Sequence, residues 1–305
     1  MMKHPNPDIL LYIGMADAYA AAVEYNDKLT FKALRFERYV KHPTHGLEAG
    51  RYTDDTEMSV ANAMVLLLYD YPYEPLMFAD GYVCEFIRGG KRNGYARGFQ
   101  QILERVNNGG QLVKALNPIS SRNGAAMRSA VLGVLPTVEQ VLATAEVQAK
   151  ITHDTPEGIF SSQAVALMAH YALYEHYPLA DVGEYCMWRM PQVDLKRFGY
   201  VFEQRWSGGP ITTGGFVPVS ITTVHAVSDL VQNESSLMDM LKQTILWGGD
   251  TDSVASIAWG IASARHQDEQ IPEFMERDLE NGSLVTGASY LRELGNQLMK
   301  KYQSP

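Results

Sequence analysis

Hydrophobic positions in this chain recur mostly at spacings of three and four, the period of a helix with one buried stripe. Ile9, Leu10, Ile13, Ala16, Ala20 and Val23 share one face of a segment over residues 8–25. Met58, Ala61, Met64, Val65 and Leu68 repeat the pattern after Asp55. Residues 136–150 open with Pro136, whose fixed φ suits a first helical position, and continue with alanine, glutamate and leucine. Residues 161–176 are alanine-rich, with Ala164, Leu167, Met168 and Tyr171 in register, and 234–246, 252–265 and 285–302 complete the set. The methionines and tyrosines fall at helical spacing and read as core. The stretch GGFVPVSITTVHAV is rich in β-branched residues, but Pro218 argues against a central strand. It reads as a turn followed by a helix that starts near Pro218. Polar, glycine-rich breaks at 41–53, 88–98, 107–124 and 206–215 are spread too evenly to mark a boundary, and no solenoid-length repeat is visible. The expectation is an all-α fold, one compact multi-helix domain over residues 1–305.

Composition narrows the function more than the fold. The 305 residues are 46% hydrophobic and 20% charged, which is ordinary for a globular protein. A formal net charge of -9 argues against a broad nucleic-acid surface, while leaving room for a local basic pocket that takes a small phosphorylated molecule. Cys84 and Cys186 stand alone, without the spacing of a zinc site or a disulfide framework. No apolar run approaches the ~20 residues of a membrane span. The N-terminal stretch ILLYIGMADAYAAAVEY imitates a signal peptide, but Asp17 interrupts its apolar region. These features together predict a cytoplasmic protein.

Two short stretches change the picture. GRYTDDTEMS, residues 50–59, and WGGDTDSVAS, residues 247–256, both run from glycine through hydroxyls and paired aspartates into a helix. Each has a bland reading. Asp54 and Glu57 have capping-box spacing, and Asp250 or Asp252 could cap the second helix. Yet one N-cap needs one side-chain oxygen, and each motif supplies two carboxylates. If the two helix starts meet, four carboxylates share a small volume. Their repulsion would raise pKa values or push the site apart unless cations sat between them. Hard divalent cations such as Mg²⁺, Mn²⁺ or Ca²⁺ take such ligands, with hydroxyls and water completing the shell. A dinuclear oxygen-ligated site is one expectation; a pair of well-capped helices is the other.

With these motifs in hand, the sequence resembles the ADP-ribosylglycohydrolase family, of the ADP-ribosylarginine hydrolase and dinitrogenase-reductase-activating type, from about residue 9 to residue 280. WGGDTDSVASIAWGIASA is similar to the family's GGDxDT motif and TDDTEMSVANA to its TDDT motif. RNGAAMRSAVLGVL, ITHDTPEGIFSSQAVALM and RNGYARGF resemble its NG-x-x-MR, TH and glycine-loop segments, in the right order. The resemblance implies that Thr53, Asp54, Asp55, Asp250 and Asp252 are metal ligands, with Ser253 in place of the usual threonine. It implies two divalent cations, Mg²⁺ or Mn²⁺. Near the N-terminus the family reads roughly GDALG…E. Here Ala16-Asp17-Ala18-Tyr19 precede Glu24, both flanking glycines are replaced, and Glu24 matches the family's metal-side glutamate. Read from the residues alone, Glu24 is an exposed helix-end glutamate.

The resemblance further places Asn123 beside the bound ligand and His153 in the ligand cleft, with Ser120 and Ser121 as donors to a diphosphate. Local readings stay open beside these: Asn-Gly is a common turn, and a loop histidine is often surface. Arg128, inside a helix, reads as a buried ion-pair partner. His42 and His45 form HxxH in a loop and read as surface. The activity implied is hydrolysis of the glycosidic bond at C1″ of an ADP-ribosyl group on a protein or a small molecule. The transition state is oxocarbenium-like, and Asp55 or Glu24 would take the water's proton. Two rival readings are a non-catalytic ADP-ribose-binding protein on the same scaffold and a metal-dependent phosphohydrolase. Release of ADP-ribose rather than phosphate separates the latter.

Overall fold

Nine helices of eleven residues or more organise the computed structural model, which describes residues 1–44 and 46–303. In chain order they are α1 (Ile9–Ala20), α2 (Asp54–Leu68), α3 (Pro75–Arg88), α4 (Val138–Lys150), α5 (Pro156–Tyr174), α6 (Val219–Asn233), α7 (Leu237–Trp247), α8 (Thr251–Ala262) and α9 (Ala288–Gln303). Shorter helical turns join them. The described residues contain no strand, only the isolated bridges Ile119↔His153 and Ile211↔Gly249. The all-α fold expected from the periodicity is the fold observed.

Every residue of α1 and of α8 is buried, so neither is a surface helix with one apolar stripe. The single face drawn through Ile9, Ile13 and Ala20 understates α1, whose other positions, among them Tyr12, Gly14, Met15 and Ala18, are apolar or small enough to pack all round, Asp17 being the one charged exception. Burying a leucine such as Leu10 contributes about 1.5–3 kcal/mol relative to leaving it in water. α1 packs most extensively on α8, and also on α2 and α9. One connected hydrophobic cluster runs from α1 to α9. The described residues hold no helix long and apolar enough to cross a membrane.

Helix starts follow cap chemistry, which moves several predicted boundaries. Pro136 does not begin α4: Thr137 is its N-cap, and the hydroxyl accepts from Gln140 N–H at 3.3 Å. α5 starts at Pro156, five residues before the expected position, because Thr155 caps it at Gly158 N–H. α7 starts after Ser236, whose hydroxyl accepts from Asp239 N–H. α6 begins at Val219, directly after Pro218. The helix α3 has no counterpart in the expectation.

Candidate active site

The start of α2 is capped from outside. Asp17, fully buried in α1, accepts from Thr53 N–H at 3.0 Å, Thr53 Oγ1 at 2.9 Å, Thr56 N–H at 3.1 Å and Thr56 Oγ1 at 2.5 Å. Helix N-termini leave unpaired N–H groups, and here a carboxylate from another helix takes two of them. Thr53 is the N-cap, and its hydroxyl accepts from Asp55 N–H at 3.3 Å. The Asp54–Glu57 capping box therefore does not form. Glu57 turns instead to Arg92 Nε at 3.1 Å and Tyr95 Oη at 2.7 Å. Arg92 also donates to Tyr52 O at 2.8 Å and Glu280 Oε1 at 2.9 Å, fixing the segment that leads into Thr53. With capping supplied elsewhere, the carboxylates of Asp54 and Asp55 are left over. Asp55 Oδ1 accepts from Ser256 Oγ on α8 at 3.0 Å, which joins the two helix starts.

The start of α8 is shaped by two glycines with positive φ, Gly248 at 74° and Gly249 at 79°. A Cβ on Gly249 would fall 2.1 Å from Ile211 O, so only glycine fits there. Around that turn Asp250 N–H donates to Ile211 O at 2.8 Å, and Tyr25 N–H to Gly249 O at 2.9 Å. Thr251 Oγ1 reaches Ala20 O at 2.9 Å. These bonds pin the Glu24–Tyr25 segment, just after α1, against the start of α8. Asp250 occupies the N-cap position, yet its side chain makes no cap hydrogen bond. Its Oδ2 accepts from Asn123 Nδ2 at 3.1 Å. Carboxylate oxygens of Glu24, Asp250 and Asp252 lie within 4.8 Å of one another.

Six carboxylates, from Asp17, Glu24, Asp54, Asp55, Asp250 and Asp252, thus act on one another. Loss of solvent, then repulsion from Asp250, Asp54 and Asp17, pushes the Glu24 carboxyl up to about 9. Burial is the first cause, and neighbouring carboxylates the second, for Asp54 and Asp252, both held well above the carboxylate range. Asp55 follows the same order despite bonds from the Ser253 and Ser256 hydroxyls. Asp17 rises less, to about 6, because the threonine donors oppose its burial. Among the described residues Asp17, Asp54, Asp55, Asp250 and Asp252 form no ion pair. Crowded and all-oxygen, this donor set fits hard divalent cations.

The other wall is built by the Asn123 and His153 segments. Asn123 is buried and donates to Asp250 and to Thr223 Oγ1 at 3.2 Å, so it touches the acidic group directly. Gly124 gives His153 its place: a Cβ there would meet His153 Cε1 at 2.9 Å. The glycine answers a close approach, not merely a turn. Burial first, then Arg128 and Arg122, holds the His153 pKa near 3, so the ring is neutral at physiological pH. Thr152 Oγ1 accepts from Arg128 Nη2 at 2.8 Å and pairs with His153 Nδ1 at 2.6 Å. Ser120 Oγ accepts from Arg122 N–H at 3.2 Å, and Ser121 O accepts from Ser220 N–H at 3.4 Å; both serines are part-exposed.

Two residues differ from the sequence reading. Arg128 is buried as expected but is no ion-pair partner: its guanidinium bonds to Gln148 and Thr152 and lies 4.5 Å from the centre of the Tyr82 ring. Neutral oxygens and a π face satisfy it without a second buried charge. His42 is not surface. It is 7% exposed, and its Nε2 lies 2.9 Å from Glu24 O, with Nδ1 accepting from Thr44 N–H. That bond anchors the backbone of Glu24. His45 lies outside the described residues. Asp17, His42 and the Arg92–Glu280 pair were missed as supports of the site.

The family model described as ADP-ribosylglycohydrolase matches residues 13–305. Curated relatives include the ADP-ribosylhydrolase ARH3 of Xenopus tropicalis, 26% identical over 85% of this chain and 86% of the relative. That of Homo sapiens is 25% identical over 76% of each. A solved structure titled ADP-ribosylglycohydrolase-related protein complex superposes with a TM-score of 0.70 at 19% identity, covering 96% of both chains, and so shares the fold. The match spans both acidic helix starts and the segment that packs between them: this chain belongs to the ADP-ribosylglycohydrolase family and is an ADP-ribosylhydrolase.

Proposed function

We propose that this ADP-ribosylhydrolase is metal-dependent and cleaves the glycosidic bond at C1″ of an ADP-ribosyl group, releasing ADP-ribose from a modified protein or small molecule. The observation that carries the metal requirement is the convergence of Glu24, Asp250 and Asp252 within 4.8 Å, beside the Asp54–Asp55 helix start. In this reading Thr53, Asp54, Asp55, Asp250, Asp252 and Ser253 hold two divalent cations, Mg²⁺ or Mn²⁺. Bound there, the cations supply Lewis-acid polarisation and a fixed anchor for ribose hydroxyls. The chain does the rest. Asp55 or Glu24 accepts the proton of the attacking water at a carboxylate oxygen. His153, neutral, offers a hydrogen bond to the ligand without adding charge. Ser120 and Ser121 offer donors to the diphosphate.

Asn123 takes a double part. Its amide N–H groups are committed to Asp250 and Thr223, leaving the carbonyl oxygen for the ribose. Asn123 thus bears on the metal side as well as on the ligand: Asn123→Ala is expected to weaken metal about tenfold, as loss of a group that orients a ligand does, besides raising KM. His153→Ala should raise KM and leave metal affinity unchanged; calorimetry on the two variants checks both. Ser253→Ala is expected to weaken metal binding by about tenfold, with Ser253→Thr close to wild type. Unchanged affinity in Ser253→Ala would confine that hydroxyl to its bond with Asp55.

The substrate class is tested by incubating the protein with arginine-linked and serine-linked ADP-ribosyl proteins and with ADP-ribosyl small molecules. Free ADP-ribose is the expected product. Inorganic phosphate as the product would replace this reading by a phosphohydrolase.

A further inference from the structure

Arg122 stands between Ser121 and Asn123, in a segment held on three sides. Ile119 bridges to His153, Ser121 O accepts from Ser220 N–H, and Asn123 donates to Asp250. The backbone of Arg122 is thereby placed at the rim of the acidic cleft, while its side chain is exposed and forms no ion pair among the described residues. Its charge is felt both at Tyr25, the neighbour of Glu24 on one wall, and at His153 on the other. The other nearby cation, Arg128, is sealed behind His153 at 1% exposed and committed to Gln148 and Thr152.

This arrangement answers an electrostatic problem. Six carboxylates carry more charge than two divalent cations offset, so an anionic group brought toward them is repelled unless a positive charge holds it at a distance. His153 cannot provide it, being neutral. A guanidinium matches phosphate oxygens with two parallel donors, and an exposed cation at a cleft mouth also guides an anion toward it. We propose that Arg122 is a specificity-determining residue of this site, selecting ligands with a diphosphate by pairing with its oxygens at the cleft mouth. The assignment rests on the reading that the ligand is an ADP-ribosyl group.

The test is calorimetric titration of ADP-ribose, ADP and adenosine into the Mg²⁺-loaded protein, its Arg122→Gln variant and its Arg122→Lys variant, at low and at physiological salt. Arg122→Gln should bind ADP-ribose and ADP about tenfold or more weakly, as expected for a lost charged hydrogen bond. Adenosine, without the diphosphate, should bind as it does to wild type. The salt dependence of ADP-ribose binding should flatten in Arg122→Gln and survive in Arg122→Lys. Since the side chain is exposed and unpaired, the melting temperatures should coincide. Unchanged ADP-ribose affinity in Arg122→Gln, or an equal loss for adenosine, would overturn the assignment and leave the proposed activity standing. A wild-type protein that binds neither ADP-ribose nor ADP would overturn both.

Discussion

Asp250→Ala and Asp54→Ala are each expected to reduce turnover to background and to weaken divalent-cation binding by about a hundredfold or more. Removing a group that only orients a ligand already costs about 10–100-fold, and these two are proposed as ligands themselves. Stability should respond in the opposite sense when metal is absent. Asp54 sits in a group of carboxylates whose charges are raised in energy by burial and by each other. Deleting one relieves that repulsion, so in chelator Asp54→Ala should melt at or above wild type. In saturating Mg²⁺ or Mn²⁺ the order should reverse, because only wild type gains the full binding energy: occupancy at about 100 times Kd adds about 2.7 kcal/mol. Melting curves of both proteins with and without metal make the comparison. An Asp54→Ala protein that melts lower than wild type by the same margin in both conditions would assign Asp54 to the fold alone.

Asp17→Ala is expected to carry the largest cost in stability. The change strips the partner from Thr53 N–H and Thr56 N–H, both at a buried helix start, and from two hydroxyls. Leaving a buried donor unpaired costs about 1–3 kcal/mol each. Some of that is offset, since burying the Asp17 carboxylate is itself unfavourable, as its rise to about 6 records. A net loss of about 3 kcal/mol follows, or roughly 5 °C in Tm for a chain of this length. Thr53 and Asp54 would lose their fixed position, so metal affinity should fall together with stability. Thermal melting and metal titration of the one variant test this: a Tm within a degree of wild type would remove Asp17 from the capping role given to it here.

The acidic motifs were legible because their chemistry is local. Two carboxylates at one helix start exceed what capping needs, and that surplus can be counted in ten residues. Helix identity was legible for the same reason, through spacing. The start of α5 was displaced because Thr155-Pro156, a good cap and first position, lay inside a segment read as loop. α3 offered an equal signal that went unused: Pro75 followed by Phe78, Ala79, Tyr82, Val83 and Phe86 at helical spacing. Other features had no local signature. Asp17 meets Thr53 from 36 positions away, and Arg92 meets Glu280 across 188, so only the fold can pair them. A spacing rule that sees only HxxH assigns His42 to the surface, whereas its ring is turned inward to Glu24 O. The two family glycines missing on either side of Asp17 are absorbed in the same way: Ala16 and Ala20 are buried in a helix with no need of positive φ.

Whether the clustered carboxylates act through divalent cations is tested by removing the metal and adding it back. Protein stripped with chelator and then freed of it is given an ADP-ribosylated substrate, and free ADP-ribose is followed while Mg²⁺ or Mn²⁺ is added back. No release is expected from the stripped protein, with recovery that saturates with added metal, and no recovery by Asp250→Ala at any metal concentration. Release of ADP-ribose by the metal-free protein, or by Asp250→Ala at the wild-type rate, would contradict metal dependence.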